Sequence, residues 1–228
     1  MALFAVFLVV ALVALFFVSA CGGATPEVPV RVSFYGDSIT RGDGLSPRPV
    51  ERRTELAKGV FTGVDYALGG ATVQAATLGD ARLPFAGRFG DWIKQDSSEI
   101  VVLGYAGANA LGGMENLAEY ETLLTNMIRQ AQAAGKVVVL SGITFVHTPV
   151  AGVSDADAVR ILAALATFDG RTQAIAAREG CHFLDVRTVP FYGAVDMLDN
   201  VHPSQAYSDR VSAYVTAYLV GVVGMRTK

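Results

Sequence analysis

Three side chains that could carry nucleophilic catalysis lie near the two ends of the chain. Ser38 stands in the segment YGDSIT of residues 35–40, directly after a predicted strand. Asp199 and His202 are separated by two residues, just before the last predicted helix. A serine hydroxyl needs a base to take its proton, and that base needs an acid to fix its tautomer and stabilise its cation. The three residues could therefore supply a nucleophile, a base and an acid.

Each of these residues also has an ordinary structural explanation. An Asp-Ser pair after a strand is a common helix cap, so Ser38 could serve only in that way. The spacing of Asp199 and His202 is easily met by chance. The scarcity of histidine makes it more specific, because His182 opens a predicted strand and is expected to be structural. His147 lies in an unassigned loop. We interpret it as a loop or pocket-lining residue, with an alternate base as the other hypothesis.

Two turns with small and polar residues follow other predicted strands. The first is LGGAT at residues 68–72, and the second is GYAGAN at residues 104–109. A glycine such as Gly70 lets a backbone N–H approach a tetrahedral oxyanion closely. The side-chain amide of Asn109 could add a second donor, and each such donor is worth about 3 kcal/mol in a transition state. Taken singly, both turns are also compatible with ordinary turn chemistry.

Predicted strands and helices alternate along the chain and would position these residues. The strands are predicted at residues 28–35, 64–68, 100–104, 136–140 and 181–186, and helical patterns cover residues 114–134, 154–179 and 204–223. Such alternation predicts a three-layer α/β/α domain with a parallel sheet and right-handed connections. Ligands of these folds bind beyond the carboxyl ends of the strands, which is where the polar segments fall.

Four motifs follow one another along the chain: Gly-Asp-Ser, a glycine after the second strand, Gly-x-Asn after the third strand and Asp-x-x-His near the end. In this order they resemble the motifs of the SGNH hydrolase family. This is also called the GDSL esterase and lipase family, and the resemblance spans residues 31–204. It implies a flavodoxin-like fold with a five-stranded, mainly parallel sheet. It also implies that Ser38 is the nucleophile, His202 the base and Asp199 the acid. The implied oxyanion hole consists of the N–H groups of Ser38 and Gly70 and the side chain of Asn109.

The third motif departs from the family pattern. The family often has Gly-x-Asn-Asp, whereas Ala110 follows Asn109 in this chain. This puts the bracing of the Asn109 side chain in question, although the donor itself is present. The motif also leaves the position of the glycine donor open by one residue, so that Gly69 could replace Gly70.

The resemblance implies ester hydrolysis through an acyl-enzyme, with no metal or cofactor. The expected substrates are acetyl or short-acyl esters, as for a carbohydrate deacetylase or an arylesterase, and the alternatives are a lysophospholipase or a thioesterase. An acyltransferase and a non-catalytic, glycan-binding envelope protein remain as further hypotheses. The aromatic side chains of Phe85, Phe89 and Trp92 could line an acyl pocket, but their near-helical spacing favours the core. The loop at residues 142–153 could serve as a lid.

The first twenty residues form an uncharged, apolar segment that is long enough for most of a membrane span. The segment ends in Val-Ser-Ala-Cys, which resembles the lipobox of bacterial lipoproteins, although no lysine or arginine precedes it. We therefore expect a signal segment at residues 1–20, a linker at 21–29 with a lipidated Cys21, and one hydrolase domain at 30–228. The expected location is the cell envelope, on a membrane facing the periplasm or the exterior. An uncleaved anchor and a secreted protein are the alternatives.

Composition excludes other functional classes. With 18 basic and 21 acidic residues, the net charge is −3, and no basic patch indicates a nucleic-acid partner. Two cysteines and three histidines are too few for a structural zinc site. If Cys21 carries lipid, Cys181 has no disulfide partner and is expected to be a reduced, buried residue.

Overall fold

The computed structural model describes residues 28–144, 155–199 and 201–226. Its centre is a five-stranded sheet in the order β2-β1-β3-β4-β5, in which every pair of neighbours is parallel. The strands are β1 (Val30–Gly36), β2 (Phe61–Asp65), β3 (Ile100–Gly104), β4 (Val137–Ser141) and β5 (His182–Leu184). The predicted parallel α/β fold is confirmed.

Helices cover both faces of this sheet. They are α1 (Ser38–Arg41), α2 (Pro49–Leu56), α3 (Val73–Leu78), α4 (Phe89–Trp92), α5 (Ala106–Leu111), α6 (Leu117–Ala133), α7 (Asp155–Glu179) and α8 (Gln205–Arg226). Short 3-10 turns lie at Met114–Asn116, Val186–Thr188 and Gly193–Asp196. Buried residues of α3 to α7 pack on one face, whereas those of α2 and α8 pack on the other.

Alternation within the strands divides the core into two layers. In β1, Val32 and Phe34 join the α2 and α8 layer, and Tyr35 joins the opposite layer. Successive strand residues point to opposite faces, so a continuous apolar run such as residues 100–103 fills both layers. Full burial of one such large apolar side chain contributes about 1.5–3 kcal/mol.

The aromatic residues between β2 and β3 belong to the core. Phe89 is fully buried and packs edge-on against Tyr35, with ring centroids 5.2 Å apart. Phe85 is buried as well and stacks on Trp92 at a centroid distance of 6.1 Å. The prediction of a core role is confirmed, since these rings pack on one another away from Ser38.

The second strand lies three residues earlier than predicted. The sequence predicts it at residues 64–68, whereas Phe61–Asp65 pairs with β1, so that Val30 lies beside Phe61. Gly63 lies in its middle, where a Cβ atom would approach Cγ1 of Val50 to 2.7 Å. Glycine thus allows α2 to pack closely on the strand, and this tertiary contact outweighs its low strand propensity.

Several predicted features lie outside the described residues. These are the apolar segment at residues 1–20, Cys21, His147 and the greater part of the 142–153 loop. Among the helices in the described ranges, none is both long enough and apolar enough to cross a membrane.

Candidate active site

Ser38 is placed by the turn between β1 and α1. Asp37 is the N-cap of α1, and its Oδ1 accepts a hydrogen bond from the backbone N–H of Ile39 at 3.0 Å. The capping role therefore falls to Asp37, and Ser38 is the first residue of the helix. Its hydroxyl lies at the positive end of this short helix, beyond the carboxyl end of β1.

The second carboxylate oxygen of Asp37 connects this turn to the segment after β3. Oδ2 accepts a hydrogen bond from the backbone N–H of Ala108 at 2.9 Å. Burial raises the pKa of Asp37, and the N–H groups of Ala108 and Ile39 oppose this shift by stabilising the charged form. The carboxylate thereby fixes the position of Ser38 relative to the start of α5.

His202 and Asp199 lie against Ser38. Nε2 of His202 is 2.8 Å from Oγ of Ser38, and Nδ1 is 2.7 Å from Oδ2 of Asp199. Burial raises the pKa of Asp199, but hydrogen bonds from the backbone and ring of His202 outweigh it and leave the pKa below the ordinary value. An ionised carboxylate only accepts hydrogen bonds, so Nδ1 carries the proton and the lone pair of Nε2 faces the serine hydroxyl.

The loop that carries this pair is closed by its own hydrogen bonds. The N–H of Leu198 donates to the carbonyl of His202 at 2.9 Å, and the N–H of Ser204 donates to the carbonyl of Asp196 at 2.7 Å. The buried carboxylate of Asp196 accepts a hydrogen bond from Arg210 on α8 at 2.5 Å. The loop is thus attached to a long helix, which limits the movement of the imidazole.

Both candidate glycines line the cleft that contains Ser38. This cleft has a volume of about 470 Å³ and is lined by Asp37, Ser38, Ile39, Asp43, Gly69, Gly70, Gly107, Ala108, Leu111, Val201 and His202. Among the described residues, neither glycine N–H donates to a protein acceptor. Gly70 has φ +70°, which favours glycine at this position. Either amide N–H is therefore available as a donor at the border of the cleft.

Asn109 lies in α5, next in the chain to a residue that lines the cleft. Its side chain is buried, and its Oδ1 accepts a hydrogen bond from the backbone N–H of Val73 at 3.0 Å. Its Nδ2 donates to Oε1 of Gln74 at 2.7 Å, which leaves a second N–H on the same nitrogen. Ala108, the preceding residue, lines the cleft itself. The structure therefore brings the predicted Ser38, Gly70, Asp199 and His202 together in the cleft, with Asn109 adjoining its wall.

Asp43 is a cleft residue that the sequence did not indicate. Its Oδ1 forms an ion pair with Nε of Arg41 at 3.2 Å. Its Oδ2 lies 2.6 Å from the point where a Cβ atom on Gly69 would stand. In the sequence, the segment that contains Asp43 appears only as a glycine-containing turn after Ser38. The pairing with Gly69 depends on how β1 and β2 lie side by side, which no local pattern reveals.

The remaining histidine and cysteine of the described residues lie away from the cleft. His182 is half-buried at the start of β5, against the ring of Tyr218 at a centroid distance of 6.3 Å. Cys181 is a half-buried free thiol, and burial together with the charge of Glu179 raises its pKa to about 11. Within the described part of the chain, no group of three or more His, Cys, Asp or Glu residues could hold a metal ion.

Residues 34–210 match the model of the GDSL-like lipase/acylhydrolase family. Similar solved structures include the acetylxylan esterase Axe2 from Geobacillus stearothermophilus, at 18% identity and a TM-score of 0.64, with 86% of this chain and 96% of that chain covered. The carbohydrate acetylesterase Est24 from Sinorhizobium meliloti matches at 12% identity and a TM-score of 0.64, with 85% and 99% covered. The acetyl xylan esterase AlAXEase matches at 15% identity and a TM-score of 0.67, with 83% and 100% covered. No curated protein sequence matches the chain.

Proposed function

We propose that this chain, which belongs to the GDSL-like lipase/acylhydrolase family and is an ester hydrolase, acts as a serine esterase on short-acyl esters. The observation that carries the proposal is the unbroken series of hydrogen bonds from Asp199 through His202 to Ser38, at 2.7 and 2.8 Å. These are the distances that proton transfer from a nucleophile to its base requires.

In the proposed first step, Nε2 of His202 takes the proton of the Ser38 hydroxyl while Oγ attacks the ester carbonyl. The carbonyl oxygen becomes an oxyanion that accepts hydrogen bonds from the N–H of Ser38, from Gly70 or Gly69, and from Asn109. His202 then gives the proton to the departing alcohol, and the acyl group stays on Ser38. Water attacks this acyl-enzyme by the same route, and the acid is released.

The environment of Asp199 supports its role as the acid. Its Oδ1 accepts the backbone N–H groups of Val201 and His202, both at 2.7 Å, so Oδ2 is held towards the imidazole. The lowered pKa keeps this carboxylate ionised at neutral pH. It can then stabilise the imidazolium ion that forms when His202 accepts the proton.

The walls of the cleft support a small acyl group and a polar alcohol. Ile39, Leu111 and Val201 offer a limited apolar surface, whereas Asp43 places a carboxylate close to the oxyanion donors. A carboxylate accepts hydrogen bonds from hydroxyl groups, as an acetylated carbohydrate would provide. Axe2 is described as an acetylxylan esterase and Est24 as a carbohydrate acetylesterase, which agrees with this choice of substrate.

A chain-length series tests the proposed substrate class. The full-length chain would be assayed on p-nitrophenyl esters from acetate to palmitate and on acetylated xylo-oligosaccharides. We expect serine-dependent hydrolysis of acetate esters that declines steeply with longer chains. Sustained activity on palmitate would instead support a lysophospholipase, and acetyl transfer to an added sugar in place of water would support an acyltransferase.

We also propose that the protein is exported and anchored to an envelope membrane through lipid on Cys21. The support is the apolar segment that ends in Val-Ser-Ala-Cys. Cys21→Ala should abolish incorporation of labelled fatty acid and release the protein from membranes. Equal labelling of the variant would contradict lipidation at this residue.

A further inference from the structure

The third motif lacks the acidic residue that often follows its asparagine, yet the asparagine is firmly held. Ala110, the residue at that place, is buried in the core and offers no hydrogen-bonding side chain. The contacts of Asn109 come instead from α3, which lies more than thirty residues earlier in the chain. The backbone N–H of Val73 and the side chain of Gln74 both bind its amide.

These contacts continue to the protein surface. Nδ2 of Asn109 donates to Oε1 of Gln74 at 2.7 Å, and Nε2 of Gln74 donates to Oε2 of Glu119 on α6 at 3.0 Å. Asn109 is 1% exposed, Gln74 is half-buried and Glu119 is exposed. The three side chains therefore form a line from solvent to the cleft wall.

The donor and acceptor types fix the direction of every amide in this line. The Glu119 carboxylate can only accept, so the NH₂ group of Gln74 must face it and Oε1 must face Asn109. Asn109 then presents its own NH₂ group to Gln74, and its Oδ1 faces the N–H of Val73. Rotation of either amide by 180° would bring two donors or two acceptors into contact at Asn109, whose side chain is buried, and such contacts are costly there.

We propose that Gln74 and Glu119 are positioning residues that hold the Asn109 amide with its second N–H towards the oxyanion. This inference rests on the proposed function, because it assigns Asn109 to the oxyanion hole. The pair braces the Asn109 side chain in this chain, where Ala110 stands in place of an acidic residue and cannot do so. Neither Gln74 nor Glu119 touches the reacting atoms, so each acts only through Asn109.

Removal of the Gln74 amide should lower the rate of the chemical step. Loss of one oxyanion donor costs about 10²–10³ in kcat, and Gln74→Leu leaves that donor present but poorly oriented. We therefore expect a loss of about tenfold to a hundredfold in kcat, with KM changed less than threefold. Gln132→Leu, at an exposed glutamine on α6, is the matched control and should keep wild-type kinetics.

Substitutions of Glu119 test, at the exposed end of this series of hydrogen bonds, which way the Gln74 amide is oriented. Glu119→Gln retains an acceptor oxygen and should keep kcat within about twofold. Glu119→Lys offers only donors, so Gln74 turns its oxygen outward and its NH₂ group towards Nδ2 of Asn109. We expect kcat to fall several-fold in this variant. Glu115→Lys makes the same change of charge on the preceding turn and should have no effect.

A double-mutant cycle separates positioning from a general structural role. If Gln74 acts through Asn109, Gln74→Leu costs nothing further in an Asn109→Ala background, within about twofold. Losses that multiply would overturn the proposal, as would a wild-type kcat in either Gln74→Leu or Glu119→Lys. Ser38→Ala is assayed beside them. Activity that survives in Ser38→Ala refutes the proposed function itself, whereas an inactive Ser38→Ala with a normal Gln74→Leu refutes only the positioning role.

Discussion

The imidazole of His202 lies 2.8 Å from the hydroxyl of Ser38, although the two residues are 164 positions apart in the chain. The parallel sheet explains this distance. Ser38 follows β1 at the carboxyl edge, and the loop before α8 returns to the same edge. Parallel strands bring all of their following loops to one side, so the first and last loops of the domain can share a site.

Ser38→Ala should remove the activity and leave the fold unchanged. We expect kcat/KM for p-nitrophenyl acetate to fall by at least about 10⁴-fold, because Ser38 alone carries a hydroxyl or thiol among the described residues that line the cleft. Ser97→Ala, at an exposed serine far along the chain, is the control and should retain wild-type kinetics. Circular dichroism and the melting temperature would establish that both variants fold.

Asp199→Asn should impair the chemical step while substrate binding is retained. An asparagine can direct its NH₂ group to Nδ1 of His202, which would favour the wrong tautomer for proton transfer from Ser38. We expect kcat to fall about 10²- to 10⁴-fold. A loss smaller than about tenfold would mean that another group orients the imidazole.

Asp43→Asn should change the preference between charged and neutral esters. The wild-type carboxylate repels an anionic substrate near Gly69, although Arg41 partly compensates its charge. We expect the ratio of kcat/KM for 4-carboxyphenyl acetate to that for phenyl acetate to rise about threefold or more. The same change at the exposed Asp91 should leave the ratio unaltered. An unaltered ratio in Asp43→Asn would exclude the carboxylate from substrate selection.

Asp96→Asn should destabilise the domain without direct effect on the site. Its Oδ2 accepts hydrogen bonds from the hydroxyls of Ser33 at 2.5 Å and Tyr35 at 2.7 Å, within the buried core. The other oxygen, Oδ1, accepts the backbone N–H of Ser98 at 2.9 Å. An amide has one acceptor oxygen and cannot serve both the hydroxyls and this N–H, so the free energy of unfolding should fall by about 1–3 kcal/mol. Chemical denaturation would measure this loss, with Asp91→Asn again as the control.

The same carboxylate predicts how stability depends on pH. Burial raises the pKa of Asp96, but hydrogen bonds from Ser33, Ser98 and Tyr35 outweigh it and lower the pKa below the ordinary value. A carboxyl group whose pKa is lower in the folded state stabilises the fold above the unfolded-state pKa of about 3.9. This contribution is lost as the pH falls through the folded-state pKa. The wild type and Asp96→Asn should therefore converge in stability in strong acid, and a constant difference would contradict this account.

Much of the fold could be predicted because its signals are local. The run Ile-Val-Val-Leu-Gly at β3 is apolar on both faces, as a buried parallel strand requires, and its bounds were predicted correctly. The second strand was misplaced because its glycine lowers the local strand signal. Only the packing of α2 against Gly63 explains why that residue is suited to a strand.

The site could be predicted only in part for the same reason. Ser38 and His202 stand next to strand and helix ends that the sequence reveals, and their residue types are scarce enough to be noticed. Gln74 and Glu119 are common residue types on helical segments, 45 positions apart. Their contact follows from how α3 packs beside α6, which is a tertiary relationship without a sequence pattern.

Covalent labelling of Ser38 tests the central claim most directly. The full-length chain would be treated with a fluorophosphonate, and the modified peptide would be identified by mass spectrometry as esterase activity is followed. The account predicts one equivalent of label on Ser38, with activity lost in proportion, and little labelling in His202→Ala. Activity that persists after Ser38 is fully modified, or labelling at another serine with loss of activity, would contradict it.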